Sequence, residues 1–292
     1  MNPKPKLAVL VTAIFAAQLA CASNAVAAEP SAATVRTYDG YLGKAESQME
    51  VDYRPGGAFI SRQLLSNANA GGELKSGRVV ATCVAGCNSS GIGIPGGLIH
   101  DWVGAVFIPD VSLQQVLALV QDYDHSAEHY APNVAKSRLL ARDRDDYRVF
   151  LQLWQTEFIT VLFNTEYDVR YVRLDLSRVY SISHATKITQ IAHGSKDRES
   201  PPGQNDGFLW RLDTYWRFEQ VPSGVYVQCR TISLSRGIPR GLGWIVAPFI
   251  KNVPRKSLEF TLSATRSAVL ADPARLSHTA ANPHGVEKEN RQ

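Results

Sequence analysis

The chain has 292 residues, 45% of them hydrophobic, with a formal net charge of +4. That length and apolar content can bury one sizeable core. Charge close to balance, with aromatic residues set in strand patterns rather than interleaved with clustered Lys/Arg, excludes a nucleic-acid partner.

Lys4 and Lys6 precede an apolar run from Leu7 to Ala17, broken only by Thr12, and small residues follow up to Ala25-Val26-Ala27-Ala28. This is the layout of a secretory signal peptide over residues 1–28, so the mature chain is expected to begin at Ala28 or Glu29 in the periplasm or outside the cell. The apolar run is shorter than the ~20 residues a spanning helix needs. A lipoprotein anchored at Cys21 is the alternative, weakened by Gln18 where lipobox sequences carry Leu. Cleavage removes two lysines and no acid, leaving the mature chain nearer to balance.

Residues 29–97 form an N-terminal extension, irregular to about Gly77, with Pro55-Gly56-Gly57 and Asn67–Gly72 marking loops around short helices. Cys83 and Cys87 enclose three residues including Gly86, and in an oxidising compartment a local disulfide between them is expected. Cys229 alternates with Val225 and Val227 and reads as a small buried hydrophobe. Three cysteines without a paired histidine make no zinc site.

Arg78–Thr82 reads as a first strand, Gly91–Gly97 as a turn-rich connector, and Leu98–Ile108 as a strand stopped by Pro109-Asp110. Ser112 with Gln115 three residues on is a capping box ahead of Leu113, Val116, Leu117 and Val120, an amphipathic helix. His125-Ser-Ala-Glu128-His129 matches the H-x-x-E-H pattern of inverted zinc peptidases. That chemistry needs a stable helix, and Pro132 follows too closely, so the segment reads as a solvated connector without metal.

Four long strands follow near 136–142, 146–160, 162–175 and 178–192, and a polar loop over Gly194–Gly207 leads to a hairpin. In DGFLWRLDTYWRFEQV, Trp210, Leu212, Thr214, Trp216 and Phe218 share one face, and Arg211, Asp213 and Arg217 the other. Pro222-Ser223-Gly224 supplies the reversal into GVYVQCRTISLSR. A Gly/Pro-punctuated connector over residues 236–256 mixes Trp244 and Phe249 with basic residues. Leu258, Leu262, Thr265 and Val269 then recur at helical spacing, with Pro254 in the first turn. Residues 272–292 read as a disordered tail.

A long run of antiparallel strands closed by an amphipathic helix implies an α+β, helix-grip fold: a strongly curved antiparallel β-sheet wrapped around a long C-terminal α-helix. Several stretches carry a resemblance. They are Asp122-Tyr123 through His129-Tyr130-Ala131-Pro132-Asn133-Val134 with Ser137-Arg138, Leu209-Trp210-Arg211 to Tyr215-Trp216-Arg217-Phe218, Gly224-Val225-Tyr226-Val227, and Pro254-Arg255-Lys256-Ser257-Leu258. On these, residues 98–271 resemble the START-like, Bet v 1-like (SRPBCC) helix-grip superfamily, which includes polyketide cyclases and coenzyme Q-binding START proteins. The resemblance implies a hydrophobic cavity between sheet and helix, and a hydrophobic small molecule or lipid as partner.

Candidate cavity residues are Trp154, Tyr167, Tyr180, His184, Trp210, Leu212, Trp216 and Arg230, with Trp244 and Phe249 at the mouth, where a peripheral membrane contact is expected. His184 shares a strand face with Tyr180 and Ile182 and offers a polar group to a ligand, or a base for a cyclase- or aromatase-like rival function. Arg230, if buried, needs a carboxylate or an anionic ligand. No G-x-S-x-G, phosphate loop, dinucleotide fingerprint or cysteine–histidine constellation appears, so no catalytic residue and no cofactor is assigned, and binding is favoured over catalysis.

Overall fold

The computed structural model describes residues 29–54, 57–61, 64, 69–87, 91–155, 161–191, 208–237 and 243–271. The expected signal peptide, the Gly194–Gly207 loop and the expected disordered tail lie outside the described residues.

In chain order the elements are helix α1 (Ala32–Tyr53), helix α2 (Ala70–Lys75), strands β1 (Val80–Ala85), β2 (Ile92–Ile94) and β3 (Gly97–Pro109), helix α3 (Leu113–Val120), a 3-10 turn (Tyr123–His125), helix α4 (Ser126–His129), strands β4 (Val134–Asp143), β5 (Asp146–Gln155), β6 (Val161–Arg173), β7 (Arg178–Gln190), β8 (Leu209–Val221) and β9 (Gly224–Arg236), and helix α5 (Gly243–Ala271). The strands make one nine-stranded sheet in the order β1-β3-β9-β8-β7-β6-β5-β4, with β2 also on β3. All pairs are antiparallel. The sheet is curved and α5 packs on its inner face, which is the helix-grip fold.

Local signals account for most element ends. The capping box forms as the sequence requires: Ser112 Oγ accepts from Gln115 N, and Gln115 Oε1 accepts from Ser112 N at 2.8 Å. Pro222 and Ser223 turn the β8–β9 hairpin, with Val221 opposite Gly224. Gly224 sits at φ +146, and a Cβ there would lie 2.1 Å from the Ile108 carbonyl oxygen, so only glycine fits beside β3.

Three expectations change. The extension holds a 22-residue helix besides the short α2: Ser31 caps α1, and Thr34, Tyr38, Ala45 and Met49 form a buried stripe along it. Gly40 and Gly43 weaken its intrinsic preference, so its stability comes from packing on the sheet. Strands β1 and β2 pair with β3, so the sheet begins before residue 98. The C-terminal helix also starts earlier, at Gly243, with Pro254 inside it. A proline there forfeits one backbone hydrogen bond, a loss that burial of Leu258, Leu262 and Val269 at about 2 kcal/mol each offsets.

The two sheet faces have different covers. Inward, Val106 and Ile108 of β3, Val225, Val227 and Cys229 of β9, Phe218 of β8 and Val179 of β7 pack with α3 and with Leu258, Leu262 and Val269 of α5. Gly104 lets the helix approach: a Cβ there would lie 2.9 Å from Leu262 Cδ1. Outward, α1 packs on Ile99, Tyr215, Ile232 and Leu234, while α2 and Leu64 cover Val103, Ala105 and Phe107. Strand β3 is therefore buried on both faces, and this explains its nearly continuous apolar run.

Candidate functional site

The inner face is sealed at one end and open toward its middle. Val106, Ile108, Val225, Val227 and Phe218 are fully buried beneath α3 and α5. Trp102, Leu212, Thr214, Trp216, Thr231 and Ala185, farther along the same face, stay partly exposed. Registry sets them side by side: Trp102 opposite Thr231, Thr231 opposite Thr214, and Thr214 opposite Ser183. One row on, Gly104 faces Cys229, Cys229 faces Trp216, and Trp216 faces Ser181. Small side chains at the centre of a curved sheet, flanked by Trp102, Trp216 and Tyr167, leave this stretch of the inner face less tightly covered than the end under α3.

The polar lining of this face is uncharged. His100 is buried with Nε2 2.9 Å from Ser235 Oγ, and burial pulls its pKa down to about 4, so the ring is neutral at pH 7. Tyr130 bonds Thr265 of α5 at 3.0 Å, and Tyr123 bonds Tyr171 at 2.9 Å, where Tyr147 packs edge-on against both rings. Burial pushes the Tyr130 and Tyr167 hydroxyls up to about 12 and the Cys229 thiol also up to about 12, so all three are protonated. Ser181 is 1% exposed, and its Oγ has no hydrogen-bond partner.

The outer face carries the charges, and α1 satisfies them. Arg230 forms a bidentate pair with Asp101 (Nε to Oδ1 2.9 Å, a terminal nitrogen to Oδ2 2.6 Å), and Tyr41 donates to the same carboxylate at 2.6 Å. Asp213 accepts from Tyr38, and His184 Nδ1 lies 2.7 Å from it. Glu46 of α1 accepts from Tyr215 at 2.7 Å and lies 3.9 Å from His184 Nε2. Arg217 donates to Asp52 at 3.1 Å and to the Phe59 carbonyl at 2.8 Å, with its guanidinium 4.8 Å from the Tyr53 ring centre. The hydrogen bond with Asp213 raises the His184 pKa against the lowering effect of its burial, and the charges of Asp213, Glu46 and Asp168 add to the rise.

This sorting corrects the sequence-based lining. Tyr167, Leu212 and Trp216 do face inward. Tyr180, His184 and Arg230 project outward: Tyr180 stacks on Tyr53 of α1 at 4.1 Å, and the other two belong to the carboxylate pairs just described. Trp210 leaves its expected face because a bulge between Leu209 and Arg211 turns it onto the outer cluster beside Ile99 and Leu234. Trp154 pairs with Leu162 on the outer face, three residues from the inward Leu151 and so on the opposite side, and is 39% exposed. Trp244 and Phe249 fall in the first turns of α5, and their side chains lie outside the described residues.

Cys83 and Cys87 are bonded, with Cα atoms 5.6 Å apart, and Cys229 is a buried free thiol. The H-x-x-E-H segment divides between the 3-10 turn and the four-residue α4, with His125 Nδ1 2.7 Å from Asp122. Among the described residues no group of three or more His, Cys, Asp or Glu is arranged to hold a metal ion.

Sequence reasoning missed the clasp contacts of Asp101, Asp213, Arg217, Tyr38, Tyr41 and Glu46 between the outer face and the N-terminal extension. Alternation places Arg211, Asp213 and Arg217 on one face of β8 without saying what covers it, and α1 contacts Asp213 and Arg217 there. The signal was the α1 spacing itself, Tyr38, Tyr41, Ala45 and Met49 on one side of a helix, with Glu46 and Asp52 as acids for the basic strand positions.

No family model matches the chain, and no curated protein matches it. Solved structures similar to it include a STAR-related lipid transfer protein (fragment 25–204) from Xanthomonas axonopodis, with 17% identity and a TM-score of 0.46, covering 66% of this chain and 93% of that one. Human STARD10 has 10% identity and a TM-score of 0.44, covering 70% of this chain and 77% of that one. The Zhui aromatase/cyclase from Streptomyces sp. R1128 has 10% identity and a TM-score of 0.42, covering 60% of this chain and 96% of that one. No residue role passes to this chain across such divergence.

Proposed function

We propose that this is an exported protein that binds a hydrophobic small molecule or lipid in the hollow between its sheet and C-terminal helix, and carries or sequesters it outside the cytoplasm. The observation that carries this reading is the contrast along the inner face, where the end under α3 is sealed while Trp102, Leu212, Thr214, Trp216 and Thr231 keep contact with water. Burying apolar ligand surface against such walls supplies roughly 25 cal/mol per Å² before ordering costs. Export rests on residues 1–28.

The cyclase-like alternative loses the base that the sequence offered it, because His184 bonds Asp213 on the opposite side of the sheet. Native purification of the mature chain followed by mass spectrometry of its organic extract tests the binding reading. An apolar compound recovered in near-stoichiometric amount, or loaded into the folded protein, is the expected result. A folded protein that repeatedly yields and accepts no apolar compound would overturn it.

A further inference from the structure

On strands β3 and β6–β9 the charged side chains sort to one side. Asp101, Glu166, Asp168, Arg170, His184, Arg211, Asp213, Arg217 and Arg230 all point outward. The inward rows hold Trp102, Gly104, Thr214, Trp216, Ser181, Ser183, Tyr167, Val169, Cys229 and Thr231. Among the described residues, the other cations on this side are Arg173 opposite Val179 and Arg142 over the Tyr147 ring, both at the exposed margins of the sheet, and Arg266 of α5, whose guanidinium lies against Gly77 beside β1. His100 is held neutral by burial. An anion set against these central strand rows would leave water and meet no counter-charge on them.

A hydroxyl waits at the same place. Ser181 lies between Tyr171 and Trp216 in the inward row, is 1% exposed, and has an unpartnered Oγ. A buried hydroxyl without a partner costs free energy that a ligand's hydroxyl or carbonyl would recover. The nearby polar groups are engaged elsewhere: Tyr171 with Tyr123, Tyr130 with Thr265, and His100 with Ser235. Tyr147 Oη is a second unpartnered hydroxyl, two strands away on the same face.

We propose that the hollow selects an uncharged ligand carrying a hydroxyl or carbonyl, accepts its polar group at Ser181 Oγ, and rejects carboxylates and phosphates. This deepens the binding reading above and rests on it.

The test is displacement of the neutral dye Nile red from the mature protein at pH 8 by dodecanol, dodecanoate and dodecane. Dodecanol is expected to bind at least about tenfold more tightly than dodecanoate, and roughly three- to tenfold more tightly than dodecane, the worth of one hydrogen bond. Ser181→Ala should remove the preference for alcohol over hydrocarbon and leave the hydrocarbon's affinity unchanged. That variant deletes an unpaired buried hydroxyl, so it keeps the fold, and an unchanged near-ultraviolet circular dichroism spectrum verifies this. Dodecanoate binding as tightly as dodecanol, or a Ser181→Ala protein with its alcohol preference intact, overturns the selection while leaving the binding function standing. A folded protein that binds neither dye nor any of the three overturns both.

Discussion

The Asp101–Arg230 pair ties two central strands to the N-terminal helix, and removing either partner should destabilise the protein far more than removing both. The Asp101 side chain is fully buried and Arg230 is 15% exposed, and the carboxylate accepts two bonds from Arg230 and one from Tyr41. Asp101→Leu keeps volume but strands the guanidinium and the Tyr41 hydroxyl. Breaking a buried pair costs about 3–5 kcal/mol, and the partial exposure of Arg230 favours the lower end. At roughly 2–4 °C per kcal/mol for a chain of this size, Tm falls by roughly 6–20 °C. Arg230→Leu leaves Asp101 buried and unpaired, with a loss of the same order. The double variant leaves no buried charge and should recover all but about 1 kcal/mol. Urea denaturation of the four proteins at one pH measures the cycle. Losses that simply add in the double variant would refute the reasoning, because they would mean that neither charge depends on the other.

Two further outcomes follow from the same geometry. His184 has its folded pKa raised above the unfolded value of 6.5, so its contribution is fully present below pH 6.5 and disappears as pH rises through the folded value. The difference in urea midpoint between wild type and His184→Gln should accordingly be larger at pH 6 than at pH 9, and a difference that grows with pH would contradict the pairing with Asp213 and Glu46. For the cysteines, alkylation of unreduced protein should label Cys229 only, and only in denaturant, since the thiol is buried and its pKa is pushed up to about 12. Mass spectra with labels on Cys83 or Cys87 would contradict the bridge.

Local chemistry made much of the fold legible in the sequence. The capping box at Ser112, the two-residue reversal at Pro222-Ser223, the period of two through β4–β9 and the helical spacing of Leu258, Leu262 and Val269 depend on neighbours within a few residues. They suffice to derive a curved antiparallel sheet gripping a helix. Alternation divides a strand into two faces without saying which face turns inward. Tertiary structure decided that, through contacts such as Tyr38 with Asp213, 175 residues apart, and Tyr41 with Asp101. Because α1 covers the charged face, His184 and Arg230 became part of a buried clasp instead of a ligand site. A single bulge at Leu209 and Arg211 carried Trp210 out with them. The hollow was left to small, uncharged residues such as Ser181, Ser183, Thr214 and Thr231, which have no sequence signature of their own, since their meaning comes from the strands placed beside them.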